Sequence, residues 1–179
     1  MLFEHWGATP DEIAGPAVGD DLVPDATVIA TRSIDCDAPP AEVYPWLAQM
    51  GFGKAGWYSY DWLDNLGRKS ATEIRPEWQV TEGDPVPGGP IAFTAAIARP
   101  AEAFVLAVQR KRIDFTLAFD LRPDGTGTRL VSRVRIRLRF PGGRLLERLV
   151  LGPGDGIMVR KQLLELRKRT ARSPATPVP

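Results

Sequence analysis

Few side chains in this sequence are equipped for chemistry. There is one histidine, His5, and one cysteine, Cys36. A Ser-His-Asp or Cys-His arrangement would have to recruit His5 from the first residues of the chain, where order is usually poor. Cys36 stands between Asp35 and Asp37, whose charges raise a thiol pKa and oppose thiolate formation. With one residue of each type, a Cys/His zinc site or a bis-histidine haem cannot be assembled from one chain. No metal, no cofactor and no catalytic set is therefore expected. What remains is a dense aromatic group, Trp57, Tyr58, Tyr60 and Trp62, with the carboxylates Asp61, Asp64, Glu73, Glu77 and Asp84 nearby in sequence. The aromatics admit two readings: the packing face of a short helix, or the wall of a ligand pocket in which Tyr hydroxyls fix orientation. A carboxyl raised by burial beside Trp or Tyr would be a general acid or base, but nothing in the sequence singles one out.

The elements that must position these residues can be read from periodicity. Residues 1–25 are rich in Gly, Pro and Asp and predict an irregular arm with one helical turn near Asp11–Ala14. Thr27–Asp35 is β-branched enough for a first strand. In the following helix Val43, Trp46, Leu47 and Met50 share a face, Pro45 distorts it, and Gly51 ends it. Ser59–Leu66 predicts a short helix capped by Ser59 and ended by Gly67. Tyr58, Trp62, Leu63 and Leu66 share a face of it. A short strand is expected at Trp78–Thr81, then strands at Ile91–Arg99 and Ala103–Gln109. A hairpin of Ile113–Leu121 and Leu130–Phe140 follows, turning at Pro123–Gly127. Asp155 is the expected N-cap of a last helix, Gly156–Ala171, with Val159, Leu163, Leu166 and Thr170 as its stripe. Consecutive strands with short turns make an antiparallel sheet, whose oily face needs a cover. The last helix supplies it.

Other features exclude more than they suggest. The 179 residues fit one domain, 44% are hydrophobic and 25% charged, and the formal net charge is +1. That charge gives no reason to propose nucleic acid as a partner. No apolar run approaches a membrane span, and the N-terminus lacks the layout of a signal peptide, so the expected location is the cytoplasm. Gly51-x-Gly53-x-x-Gly56 has dinucleotide-fingerprint spacing, but it follows a helix instead of a strand. It reads as a helix stop and a flexible connection. Arg129, Arg133, Arg135, Arg137 and Arg139 alternate along one strand. They are expected to form a solvated outer face, paired across the hairpin with Asp114 and Asp120. The competing reading makes them an anion or acidic-partner surface.

Two stretches carry a family resemblance. One is Thr31–Leu47, with Ala38-Pro39-Pro40 leading into Val43 and Trp46. The other runs through Gln49-Met50-Gly51, Gly56-Trp57-Tyr58-Ser59-Tyr60-Asp61-Trp62-Leu63 and Gly83-Asp84. Together with Trp6-Gly7-Ala8-Thr9 and Gly19-Asp20, they resemble the SRPBCC superfamily (START, polyketide-cyclase and Bet v 1-like domains), in an uncharacterised bacterial branch. The resemblance implies an α+β helix-grip fold, a curved antiparallel sheet wrapped around a long C-terminal helix, with a cavity between them. The Gly152-Pro153-Gly154 run departs from it and puts the length of that helix in question. The expected organisation is an N-terminal arm (1–26) packing on a single domain (27–172), then a disordered tail (173–179). The expected activity is non-catalytic binding of a small hydrophobic molecule, lipid-like, polyketide or aromatic. A cyclase- or dehydratase-type enzyme using a tuned acid or tyrosine is the alternative. The residues expected to line the pocket are Trp46, Trp57, Tyr58, Tyr60, Trp62, Phe93, Phe104, Phe115, Leu117, Phe119, Val134, Ile136 and Leu163. A homodimer is left open.

Overall fold

The computed structural model describes residues 5–147 and 152–171. The first four residues of the expected arm and the expected tail at 173–179 lie outside the described residues. Six strands form one antiparallel sheet in the order β1-β6-β5-β4-β3-β2. They are β1 (Val28–Cys36), β2 (Pro85–Val86), β3 (Phe93–Arg99), β4 (Ala103–Arg110), β5 (Ile113–Asp124) and β6 (Gly127–Leu138). The protein is thus α+β, with the curved antiparallel sheet and C-terminal helix of a helix-grip architecture.

The strand order explains how the aromatic segment reaches the sheet. After β1 the chain leaves one edge and restarts at β2 on the opposite edge. The N-terminal arm carries α1 (Pro10–Ala14), and residues 37–84 must cross the sheet, carrying α2 (Pro40–Ala48) and α3 (Asp61–Asp64). From β2 the chain meanders back strand by strand until β6 pairs with β1, Ile34 opposite Leu130 and Ala30 opposite Val134. The β5–β6 hairpin is longer than its alternation predicts. Its ladder runs to Asp124 opposite Gly127, leaving a two-residue loop in which Gly125 takes φ +56°. A bulge between Ala95 and Ile97 interrupts the β3–β4 register and adds local twist.

The inner face is the apolar one. Phe104, Leu106, Leu117, Phe119, Leu130, Val134 and Ile136 pack with Val43, Trp46 and Leu47 of α2. They also meet Val159, Leu163 and Leu166 of the last helix, α5 (Gly152–Thr170). Helix α5 begins earlier than expected, so the Gly-Pro-Gly-Asp-Gly run does not break it and Asp155 is not its N-cap. A short helix, α4 (Gly143–Leu146), precedes it. Among the described residues no helix is long and apolar enough to cross a membrane.

Further expectations need correction. Only one turn of the Ser59–Leu66 helix forms, because Leu66 at φ +52° and Gly67 at +78° end it early and no side chain caps it. The Trp78–Thr81 segment is a 3-10 turn (Pro76–Trp78) followed by loop, not a strand. Here Gln79 donates from Nε2 to the Pro45 carbonyl and the Val80 N–H donates to Ala48, so this segment satisfies the open C-terminal end of α2.

The largest correction concerns the arginine row. It is not a solvated face, because the arm folds over it. Arg133 and Arg135 are buried. Arg133 donates to the Thr31 hydroxyl, the Glu12, Ile13 and Gly15 carbonyls and the Asp20 carboxylate. Arg129 reaches Glu12 and Asp35, and Arg139 reaches Asp114 and Asp25. Of the two expected cross-hairpin partners, Asp114 engages Arg139. Asp120 instead pairs along its own strand with Arg122. Gly7 is needed at the point of closest approach: at φ +72°, an added Cβ would sit 2.2 Å from the Ser33 carbonyl oxygen. The sequence shows the charges of both partners but not that the irregular arm carries the matching acids.

Candidate ligand cavity

Between α5, α3 and strands β3 and β5 lies a cavity of about 670 Å³. Its aromatic side is continuous. Trp57 meets Phe93 edge-on with ring centroids 5.4 Å apart, and Phe93 leans on Phe115 at 5.8 Å. Phe52 and Leu117 extend that wall, α5 adds Met158, Val159 and Gln162, and Leu63 and Leu66 stand at the mouth. The latter two remain 54% and 75% exposed, so the rim is apolar as well as the interior.

Local backbone chemistry puts these residues where they are. Gly51 and Gly56 form an isolated antiparallel bridge with mutual N–H to carbonyl bonds, turning the chain after α2 so that Trp57 enters the inner face. This is what the Gly51–Gly56 spacing does here. Gly88 is required by the far wall: an added Cβ would lie 2.1 Å from the Ile91 carbonyl oxygen and 2.3 Å from the Phe93 ring. Ser59 does not cap α3. Its hydroxyl donates to the Met158 carbonyl at 3.1 Å and ties the mouth segment to α5.

The thirteen residues expected at the pocket divide. Trp57, Phe93, Phe115 and Leu117 line the cavity. Trp46, Phe104, Phe119, Val134, Ile136 and Leu163 are buried in the core beside it. Tyr58 is fully buried and structural. Gln49 donates to its hydroxyl at 2.8 Å and the Arg169 guanidinium lies 4.8 Å over its ring. Burial pushes this phenol up to about 12, against the opposing effects of Gln49 and Arg169. Tyr60 precedes α3 at intermediate exposure and is not on the cavity wall. Trp62 is 73% exposed, because the single-turn α3 turns it outward. Phe52, Leu63, Asp64, Leu66, Met158 and Gln162 were absent from that expectation. Their placement depends on a loop turn and on α5 crossing the sheet, which leave no periodic signal.

The carboxylates divide too. Asp61 is structural, accepting from the Ser70 N–H and hydroxyl. Asp84 accepts from the Thr81 N–H and hydroxyl, which hold its carboxyl below the usual range. Glu73 pairs with Arg75 on the surface. Asp64 differs. It lies on the cavity wall, and neither carboxylate oxygen has a well-formed hydrogen bond among the described residues. Burial first, and the nearby Asp61 charge second, push its pKa up to about 6. Weak contacts with its own N–H and that of Tyr60 offset part of this. Gln162 is the other buried polar side chain on the wall. Its Nε2 donates to the Trp57 carbonyl at 2.8 Å and contacts Met50 Sδ at 3.4 Å, leaving Oε1 without a partner. Among the described residues no group of His, Cys, Asp or Glu is arranged to hold a metal ion. Cys36 is buried, and burial raises its thiol pKa.

Solved structures of bacterial proteins are similar in fold. Protein MLL2253 from Mesorhizobium loti is 12% identical with a TM-score of 0.49, over 79% of this chain and 95% of that one. Protein Ms6760 from Mycobacterium smegmatis is 10% identical with a TM-score of 0.49, over 83% and 93%. CalU16 from Micromonospora echinospora is 18% identical with a TM-score of 0.43, over 82% and 76%. No family model matches the sequence. No curated protein matches it either.

Proposed function

We propose that this chain binds a small hydrophobic molecule in the cavity beneath α5, as a non-catalytic carrier or sensor of the helix-grip, SRPBCC-like kind. The observation that carries the reading is the cavity itself. At about 670 Å³ it falls within the several-hundred-Å³ range of pockets that enclose small ligands, and its wall is mostly aromatic and aliphatic. Burying a flat apolar molecule there would contribute about 25 cal/mol for each Å² removed from water. Mass spectrometry of small molecules that co-purify with the native protein, followed by a thermal-shift panel of lipid-like and aromatic compounds, tests this. At least one apolar compound is expected to raise Tm. No stabilisation by any member, with nothing co-purifying, would sink the reading.

One observation favours a second reading. Asp64 is a cavity-wall carboxyl whose pKa lies close to neutrality, which suits a general acid or base for a cyclisation or dehydration. Tyr58 does not support it, because its hydroxyl is engaged in the core. Turnover of any candidate substrate that is abolished in Asp64→Asn, with ligand binding retained, would decide for the enzyme.

A further inference from the structure

The single turn of α3 and the residues that follow it are built inside out. Their polar side chains turn inward. Asp61 accepts from the Ser70 N–H and hydroxyl. Asn65 accepts from the Gly53 N–H at 3.1 Å and donates to the Arg68 carbonyl at 2.8 Å. Both Asp64 oxygens are sealed from solvent. The apolar side chains, Trp62, Leu63 and Leu66, face water instead. Leu66 is held there against its backbone preference, since φ +52° is a conformation that Leu rarely adopts. The Gly67 N–H donates to the Asp61 carbonyl at 2.7 Å and fixes it. Exposed Ile91 and Ile157 adjoin the wall residues Pro90 and Met158, so an apolar rim surrounds the cavity mouth. Apolar side chains outside and polar ones inside break the ordinary pattern of a soluble surface, and such breaks concentrate at functional sites.

The net charge of +1 conceals a local asymmetry around that rim. Arg68 and Lys69 follow Leu66 and are exposed. Phe115 stands opposite Val108, and two residues beyond that pair the β4–β5 hairpin ends in Arg110, Lys111 and Arg112, all exposed. At about 3.4 Å per strand residue, Arg110 lies roughly 7 Å past the aromatic wall. The segments that frame the mouth are 52–69, 87–93, 109–115 and 157–162. Their carboxylates are Asp61, Asp64 and Asp114, none of them exposed, and Asp114 is bound to Arg139. Leucines and an interfacial Trp flanked by cations match the headgroup boundary of an anionic bilayer. The apolar side chains enter the acyl edge, and the cations meet lipid phosphates and carboxylates.

We propose that the α3 rim is a docking surface for anionic membranes and seats the cavity mouth on the lipid. A hydrophobic ligand would then pass between bilayer and cavity without crossing water. That consequence rests on the ligand-binding reading above; the docking itself does not. The full chain is floated with vesicles of phosphatidylcholine alone and of phosphatidylcholine mixed with phosphatidylserine. It is expected to bind the mixed vesicles at least about tenfold more tightly, and to lose that preference at high salt. Lipids brominated on their acyl chains should quench Trp fluorescence, and most of that quenching should vanish in Trp62→Phe. Arg110→Ser and Lys111→Ser should each weaken binding to the mixed vesicles about fivefold. Leu66→Asn should weaken it several-fold while keeping or raising Tm, because Asn tolerates the left-handed backbone better than Leu. Lost binding in that variant is therefore not lost folding. If the mixed vesicles are not bound, or Leu66→Asn and Trp62→Ser bind them as well as wild type, the docking surface is refuted. The ligand-binding reading is then untouched, since its own test uses no vesicles. Equal binding to both kinds of vesicle would overturn the anionic assignment. A dimer in sedimentation that Leu66→Asn dissociates, with no vesicle binding, would reassign the rim to a second copy of this chain.

Discussion

Replacing Arg133 by methionine keeps the apolar stem and removes the guanidinium. In the native fold that group is 4% exposed and donates to five acceptors, four of them on the arm. Removing one partner of a buried charge pair costs about 3–5 kcal/mol. Here the loss is limited, because the arm can lift away and rehydrate its carbonyls, and Asp20 keeps Arg135 at 3.4 Å. We therefore expect about 3 kcal/mol, the low end of that range. For a domain of this length that corresponds to a fall in Tm of about 6–12 °C. Arg137→Met is the control. Its guanidinium is more exposed and makes one 3.5 Å ion pair with Asp25, so its loss should cost under about 1 kcal/mol. Urea titrations of both variants read the difference, and limited proteolysis within residues 5–26 reads release of the arm. Equal shifts for the two variants, or a change of less than about 2 °C for Arg133→Met, would mean that the row behaves as ordinary surface. The covered-face account would then be wrong.

Further expectations follow from the cavity and from the arm. Gly88→Ala would push its Cβ against the Ile91 carbonyl and the Phe93 ring; it should weaken naphthalene binding and cost about 1–3 kcal/mol in urea unfolding. An unchanged affinity would show that the Phe93 wall does not shape the site. Asp64, with its pKa raised to about 6 from 3.8, favours the protonated state in the folded chain. Its stabilising contribution is therefore present below the unfolded value and is lost as pH rises through about 6. The stability of wild type relative to Asp64→Asn should fall over that window, and a carboxyl NMR midpoint below the unfolded value would contradict the burial argument. Glu12 shows the opposite sign. Hydrogen bonding from Arg129 lowers it to about 2, so its contribution is present above 4.5 and lost as pH falls toward 2. Glu12→Gln should flatten that acid-side loss, and an unaltered acid limb would show that Glu12 does not hold the arm.

Alternation alone determined much of this protein. The inward set Phe115, Leu117, Phe119 and Leu121, opposite Leu130, Val134, Ile136 and Leu138, follows from the period of a strand. The α5 stripe Val159, Leu163, Leu166 and Thr170 follows from the period of a helix, and all four side chains are buried. Element ends were less legible: α3 shrank to one turn, and α5 absorbed a Gly-Pro-Gly run that composition marks as a break. Both depend on backbone dihedrals that residue identity constrains only weakly. Periodicity shows which face a side chain takes, but not what covers that face. The arginine row and the oily row alternate equally well on β6, yet Arg133 and Arg135 became buried under an arm that has almost no periodicity of its own. The pocket is the same case. Trp57 and Phe93 were legible as large rings, but Asp64 and Gln162 became cavity groups only when residues 37–84 crossed the sheet and α5 closed over it. Covering is a long-range event, set by packing between segments distant in sequence, and only the tertiary structure decides it.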